Sequence, residues 1–194
     1  MFRAGGWVMY PLLALSVLAV ALVVERVVYW SMNLGTGRRF ALYLADVSSG
    51  RAGLARAAER ARRDNSPLGA LVRALNTFEG PLTDGAALAA IEPLRPPIER
   101  SAATLGVVIA AAPLLGILGT VTGIIQSFDL LGNAGAVTDP VGVAGGIAEA
   151  LYTTAFGLTI ALIAVFPHAV FRARSERMLS RLESLAGAAV DAKA

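Results

Sequence analysis

The chain has no cysteine and a single histidine, His168. The first absence excludes disulfides and thiolate metal sites. The second leaves no histidine cluster for a metal and no nucleophile–base pair around an imidazole, so neither an enzyme nor a metal or cofactor site is expected. There is no glycine loop of the phosphate-cradling type, no internal repeat and no low-complexity tract. Charge is also scarce, at 16% of residues against 56% hydrophobic ones, and three long stretches have almost none of it.

Those stretches define the fold class. Between Arg3 and Glu25 lie 21 uncharged residues, and between Arg100 and Asp129 lie 28. Between Asp139 and Arg172 lie 32 residues whose only acid or base, besides His168 near the far end, is Glu149. A bilayer core of about 30 Å needs about 20 helical residues, so each stretch is long enough to span. The expectation is an all-α integral membrane protein with three transmembrane helices. The first stretch is longer than a signal-peptide core and ends in Glu25-Arg26 where a small-residue cleavage site would stand, so it reads as a retained span. Trp7, Tyr10, Tyr29 and Trp30 flank it as interfacial anchors.

Arginine sets the orientation. Ten arginines fall in residues 31–101, and four more with Lys193 fall in 171–194, whereas the stretch 127–145 has Asp129 and Asp139 and no base. Positive charge stays inside, so the N-terminus and the short loop are expected in the periplasm and the C-terminus in the cytoplasm. The expected organisation is a span at 7–30, a helical cytoplasmic segment at 31–101, a span at 102–128, a short periplasmic loop at 129–141, a span at 142–170 and a basic cytoplasmic tail at 171–194. Topology accounts for the basic excess, and no nucleic-acid recognition motif accompanies it.

Within the cytoplasmic segment, residues 38–63 carry helical spacing with a break at Ser48-Ser49-Gly50. Asn65-Ser66-Pro67 predicts an N-cap and a helix through about Phe78. Gly80-Pro81 is expected to end that helix, and Thr83 or Asp84 to cap the next. Pro93, Pro96 and Pro97 are expected to bend or interrupt the approach to the second span.

The later spans are rich in small residues. Gly116/Thr120 and Gly119/Gly123 are pairs four apart in the second, and Gly142, Gly146, Ala150, Thr153 or Thr154, Gly157 and Ala161 form a stripe in the third. Such stripes let helices pack closely, which implies a bundle or a ring. Glu149 is the residue that asks for a function, because an acid near a span centre costs about 3 kcal/mol on insertion scales. Pairing with an arginine or a place among the outer headgroups would make it merely structural. Arg26, however, belongs to the opposite end of the first span, so a water-lined path is the preferred reading. Thr120 lies 20 residues past Arg100, about 30 Å of helix, and Thr154 lies 18 before Arg172, about 27 Å. The two hydroxyls therefore share a level, with Glu149 about a turn further out. Thr154 points about 140° away from Glu149, however, and Thr153 shares the face of Glu149 better, so Thr153 is held as the alternative.

Two segments carry a resemblance. Ala112-Pro113-Leu114-Leu115-Gly116-Ile117-Leu118-Gly119-Thr120-Val121-Thr122-Gly123, followed by Phe128, is similar to the second-span signature of the MotA/TolQ/ExbB proton channel family. Gly146-Ile147-Ala148-Glu149-Ala150-Leu151-Tyr152-Thr153-Thr154-Ala155-Phe156-Gly157-Leu158 is similar to its third-span signature, and Glu25-Arg26 is also family-like. Three spans favour the ExbB/TolQ branch over the four-span MotA branch. The resemblance implies a pentameric ring around single-span ExbD/TolR-like partners bearing a membrane aspartate. Proton flow would then energise a TonB- or TolA-like periplasm-spanning protein from the bacterial inner membrane. It also implies that Thr120 and Thr154 are pore threonines, Glu149 the pore glutamate and Pro113 the second-span proline, with Gly116, Gly119, Gly123, Gly146 and Gly157 packing helices. Pro96-Pro97 and Phe166-Pro167-His168 depart from the pattern. The rival reading is a non-conducting membrane scaffold.

Overall fold

The computed structural model describes residues 6–33, 35–78, 82–132 and 140–192. Among them every regular element is helical and no strand occurs. The helices are α1 (Met9–Met32), α2 (Thr36–Val47), α3 (Arg51–Arg60), α4 (Pro67–Asn76), α5 (Asp84–Ile91), α6 (Arg95–Gly132) and α7 (Pro140–Asp191). Three helical stretches are long and apolar enough to cross a membrane: Met9–Met32, Asp84–Leu130 and Pro140–Asp191. The chain divides into two compact units, Met1–Arg26 with Ser101–Val170, and Val27–Arg100 with Phe171–Ala194.

In the first unit the usual pattern of a soluble bundle is inverted. Its helix contacts hold small residues: Gly116, Gly119, Gly123 and Ser127 of α6 are buried, as are Ala150, Thr153 and Gly157 of α7. The bulky apolar side chains point outward, among them Leu114, Ile117, Val121, Ile125 and Phe128 on α6 and Leu151, Leu158, Leu162 and Phe166 on α7. Recurrence at three and four residues places each set on one helix face. Small residues inside and large ones outside suit a lipid solvent, which offers Leu and Ile no reason to hide. Pro113 lies inside α6 and Pro167 inside α7. Each removes one amide donor from its helix, yet neither ends it.

The second unit follows ordinary aqueous rules. Leu68, Leu71, Val72 and Leu75 of α4 are fully buried, as are Leu182 and Leu185 of α7. Ser66 caps α4 by accepting from the Gly69 amide at 3.3 Å, and Pro67 stands where no amide donor is needed. Thr83, rather than Asp84, caps α5 through the Ala86 amide. The break after α2 is built on Gly50, whose φ of 84° only glycine adopts freely.

Some boundaries differ from the sequence expectation. α4 stops at Asn76, before Phe78. A short 3₁₀ turn, Glu92–Leu94, precedes α6, and Pro96 and Pro97 occupy its first turn, where missing amides cost nothing. The expected interruption before the second span is thus this turn, which holds Pro93, and Pro96 and Pro97 open α6 beyond it. Residues 171–191, read as a tail, continue α7 to Asp191. The expected stop at Gly80-Pro81 and most of the short loop, 133–139, lie outside the described residues.

Asp64 ties α2 to α4. Its carboxylate accepts from Arg39 Nη1 at 2.8 Å, from Tyr43 Oη at 2.8 Å and from the Ser66 amide at 2.9 Å. Burial pushes its pKa up, but the Ser66 and Tyr43 hydrogen bonds and the Arg39 charge together hold it below the usual carboxylate value. For Tyr43, burial and the bond to Asp64 push the phenol up to about 12. A depressed acid stabilises the fold above its unfolded pKa and loses that contribution as pH falls through the folded one. Asp64→Asn is therefore expected to loosen α2–α4 by about 1–3 kcal/mol at pH 7, read as faster amide exchange in residues 36–76. The gap from the native protein should close as pH drops below 3.8, the ordinary carboxylate value here. Equal exchange at pH 7 would show that the network contributes nothing.

Candidate proton pathway

The geometry of the first unit starts from its glycines. A Cβ on Gly116 would sit 2.9 Å from Thr154 Cα, and one on Gly123 would sit 2.9 Å from the Gly146 carbonyl oxygen. On Gly119 it would overlap the Thr153 side chain, on Gly146 the Ser127 hydroxyl and on Gly157 the Ala112 carbonyl. An added Cβ would thus meet facing backbone at Gly116, Gly123 and Gly157, and a facing side chain at Gly119 and Gly146. Gly116, Gly119, Gly123, Gly146 and Gly157 pack α6 against α7, with Pro113 partly buried beside them.

That closeness brings the hydroxyls together. Thr120 Oγ1 and Thr154 Oγ1 are in direct hydrogen-bond contact. Thr154 Oγ1 also donates to the Gly116 carbonyl at 2.9 Å, while Thr120 Oγ1 has Gly116 O at 3.2 Å and Ala150 O at 3.3 Å as further acceptors. Each hydroxyl has one proton and two lone pairs, so two donors choose among more acceptors than they can use at once. Both threonines remain half-buried. Such a pair can rotate to donate outward while the carbonyls keep it oriented, which is what a relay or a water-ordering site requires.

Thr153 does not join them. It is 1% exposed, its hydroxyl donates to Ala150 O at 2.8 Å, and its side chain fills the notch at Gly119. Its position is that of a packing residue. Glu149 faces elsewhere again: a Cβ on Gly6 would overlap the Glu149 carboxyl. The acid is half-buried against the backbone that leads into α1, at a glycine with φ of 60°. The angular mismatch between residues 149 and 154 is thereby real, with Thr154 turned to α6 and Glu149 to Gly6.

Arg26 is 2% exposed and pairs with its neighbour Glu25, Nε to Oε2 at 2.9 Å and Nη2 to Oε1 at 3.2 Å. Ser101 Oγ donates to Glu25 Oε2 at 2.6 Å. His168 lies against Gly106, whose added Cβ would be 3.5 Å from Nε2. Among the described residues no group of acids, histidines or cysteines is placed to hold a metal.

Sequence reasoning missed the outer end of the ladder. Ser127 Oγ donates to Gly123 O at 2.9 Å and reaches Val143 O at 3.3 Å. The spacing of 116, 119, 123 and 127 could have signalled it. The Gly6 contact had no such signal, because nothing in the pattern relates residue 6 to residue 149.

Residues 82–184 match the family model described as the MotA/TolQ/ExbB proton channel family. This match contains α5, α6, both threonines, Glu149 and every glycine of the ladder. No curated protein matches the chain.

Proposed function

Because the chain belongs to the MotA/TolQ/ExbB proton channel family, we propose that it is the channel-forming subunit of a proton-motive-force-driven motor in a bacterial inner membrane. The observation that carries this reading is the Thr120–Thr154 hydroxyl pair, held between two close-packed apolar helices by Gly116 O. Two hydroxyls facing each other within otherwise apolar spans supply the polar groups that a proton or an ordered water needs. Copies of the chain form a ring, a pentamer in the family resemblance, whose outward Leu, Ile and Phe side chains face lipid or a neighbouring copy. The ring encloses an ExbD/TolR-like single-span partner whose membrane aspartate takes up and releases protons beside the hydroxyls. The motion so driven energises a TonB- or TolA-like protein. Three candidate spans support the ExbB/TolQ branch.

The chemistry assigned to the residues is limited and specific. Moving a charge through the membrane potential is worth about 2.3 kcal/mol per 100 mV, so the route must be gated rather than open. Glu149 hands over or orients protons at the outer side, and Thr120 and Thr154 order the acceptor at the constriction. With the partner co-purified and both reconstituted in liposomes, an imposed potential should drive proton uptake seen by an internal pH dye. Thr154→Val keeps the volume but removes the hydroxyl, and it should lower that flux at least tenfold, with the complex intact. Undiminished flux would leave the threonines as packing groups, and no flux from the native complex would favour the scaffold reading.

The orientation has its own test. Cysteines at Arg56 and Arg177 should be shielded from an impermeant thiol reagent in intact cells whose outer membrane has been permeabilised, and one at Gly135 should react. Labelling at 56 from outside would reverse the topology.

A further inference from the structure

The second unit contains a basic pocket that takes no part in the hydroxyl pair or the glycine ladder. Trp30, Thr36, Gly37, Arg174, Arg177 and Arg181 are among its lining residues. The arginines recur at i, i+3 and i+7, so they share one side of α7. Among the described residues no acidic side chain lines the pocket. The nearby carboxylates of α7 are engaged with other arginines, Glu176 with Arg172 at 3.0 Å and Glu183 with Arg95 at 3.8 Å. Three guanidinium groups on one wall without a counter-charge repel one another, and an anion between them reverses that.

Two further features aim at the same ligand. α2 opens here on Gly35, in the left-handed region at φ 80°, with no side-chain cap. The Thr36 hydroxyl bonds back to Asn33 O, leaving the first amides of this 12-residue helix unoccupied by a side chain. A helix start without a side-chain cap, at the positive end of the helix dipole, favours an anion. Independently, Trp30 is 6% exposed and its indole Nε1–H has no hydrogen-bond partner. That N–H is closed off from the pocket space, so Trp30 contributes its ring to the wall, as indoles do at headgroup level.

We propose that this pocket binds a phosphate group, and that the phosphate belongs to the headgroup of an anionic phospholipid. Trp30 lies two residues before the end of α1, a helix long and apolar enough to cross a membrane. Indole rings and arginines at such an end meet headgroups, not acyl chains. The arginines neutralise the phosphate charge bidentately, and the start of α2 lines the same pocket through Thr36 and Gly37.

The chain has two tryptophans, so Trp7→Phe leaves Trp30 as the sole indole reporter. The full-length variant in neutral detergent would be titrated with short-chain phosphatidylglycerol, short-chain phosphatidylcholine and inorganic phosphate at constant ionic strength. Indole emission and the Nε1–H proton resonance would be followed. Phosphatidylglycerol should give a saturable change in both signals. Binding should weaken about tenfold or more when Arg174→Gln and Arg177→Gln are combined, with Arg177→Lys weakened less. Both arginines are exposed, so circular dichroism should show an unchanged helix content. An equal, arginine-dependent response to inorganic phosphate would support the phosphate site but overturn the lipid as its source. A response that survives the double substitution, equals that to phosphatidylcholine, or never appears would overturn the proposal.

Discussion

Gly119→Leu is expected to separate α6 from α7 and to destroy the complex. A single Cβ at this position already overlaps the side chain of Thr153, which is buried and cannot swing away. Leucine adds three more carbons at a place where the neighbouring glycines bring backbone against backbone. Overpacking a well-packed interior costs about 1–3 kcal/mol or more, and here the displacement also breaks the Thr120–Thr154 contact. Native mass spectrometry should show loss of the oligomer or of its single-span partner. Two controls make the result specific. Gly145, on α7 like Thr153, has nothing within 4 Å of an added Cβ, so Gly145→Ala should leave the chain's own packing unchanged. The exchange Gly119→Ala with Thr153→Gly moves the notch from one helix to the other and should recover most of the assembly lost in Gly119→Ala. An intact complex in Gly119→Leu would mean that α6 and α7 do not pack this way in the membrane.

Glu149→Gln should abolish motor-driven transport while leaving assembly at native levels. Glutamine keeps the shape and much of the hydrogen bonding but cannot exchange a proton. The structure adds a second route to the same failure, because the carboxyl lies against Gly6. In Gly6→Ala the new methyl would displace the carboxyl, at a φ of 60° that alanine rarely adopts. That variant should reduce transport without removing the acid. If Glu149→Gln assembles and still transports fully, the carboxyl only anchors the segment before α1, and Gly6→Ala should then impair folding rather than flux.

Much of this arrangement was legible in sequence because it depends on local rules. The cap at Ser66, the break at Gly50 and the start of α5 at Thr83 follow from the nearest few residues. The shared level of Thr120 and Thr154 follows from counting along two helices of fixed rise, and the two do meet. Boundaries set by competition were not legible. The prolines signalled an interruption, which falls at Glu92–Leu94, but not that Pro96 and Pro97 would stand in the first turn of α6, where they lack nothing that a helix start would use. Pro167 and the arginines after it mark a plausible end, yet Phe171, Met178, Leu182 and Leu185 are buried along α7 beyond that point, and that burial sustains the helix to Asp191.

The role of neighbours around Glu149 shows the limit most clearly. Helical phase groups Thr153 with Glu149 and separates both from Thr154. Phase is a property of one helix, and it cannot say which helix stands opposite each face. By itself the sequence determined the class of the protein: uncharged runs of 21 and 28 residues, and one of 32 whose acid is Glu149, suit a bilayer, and small residues at spacing four permit close contact. Only the tertiary structure decided that Thr153 fills the Gly119 notch, that Thr120 and Thr154 share Gly116 O, and that Glu149 turns to Gly6. Those outcomes depend on which groups of α6 and α7 stand opposite one another, a match set jointly by two helices and encoded by neither alone.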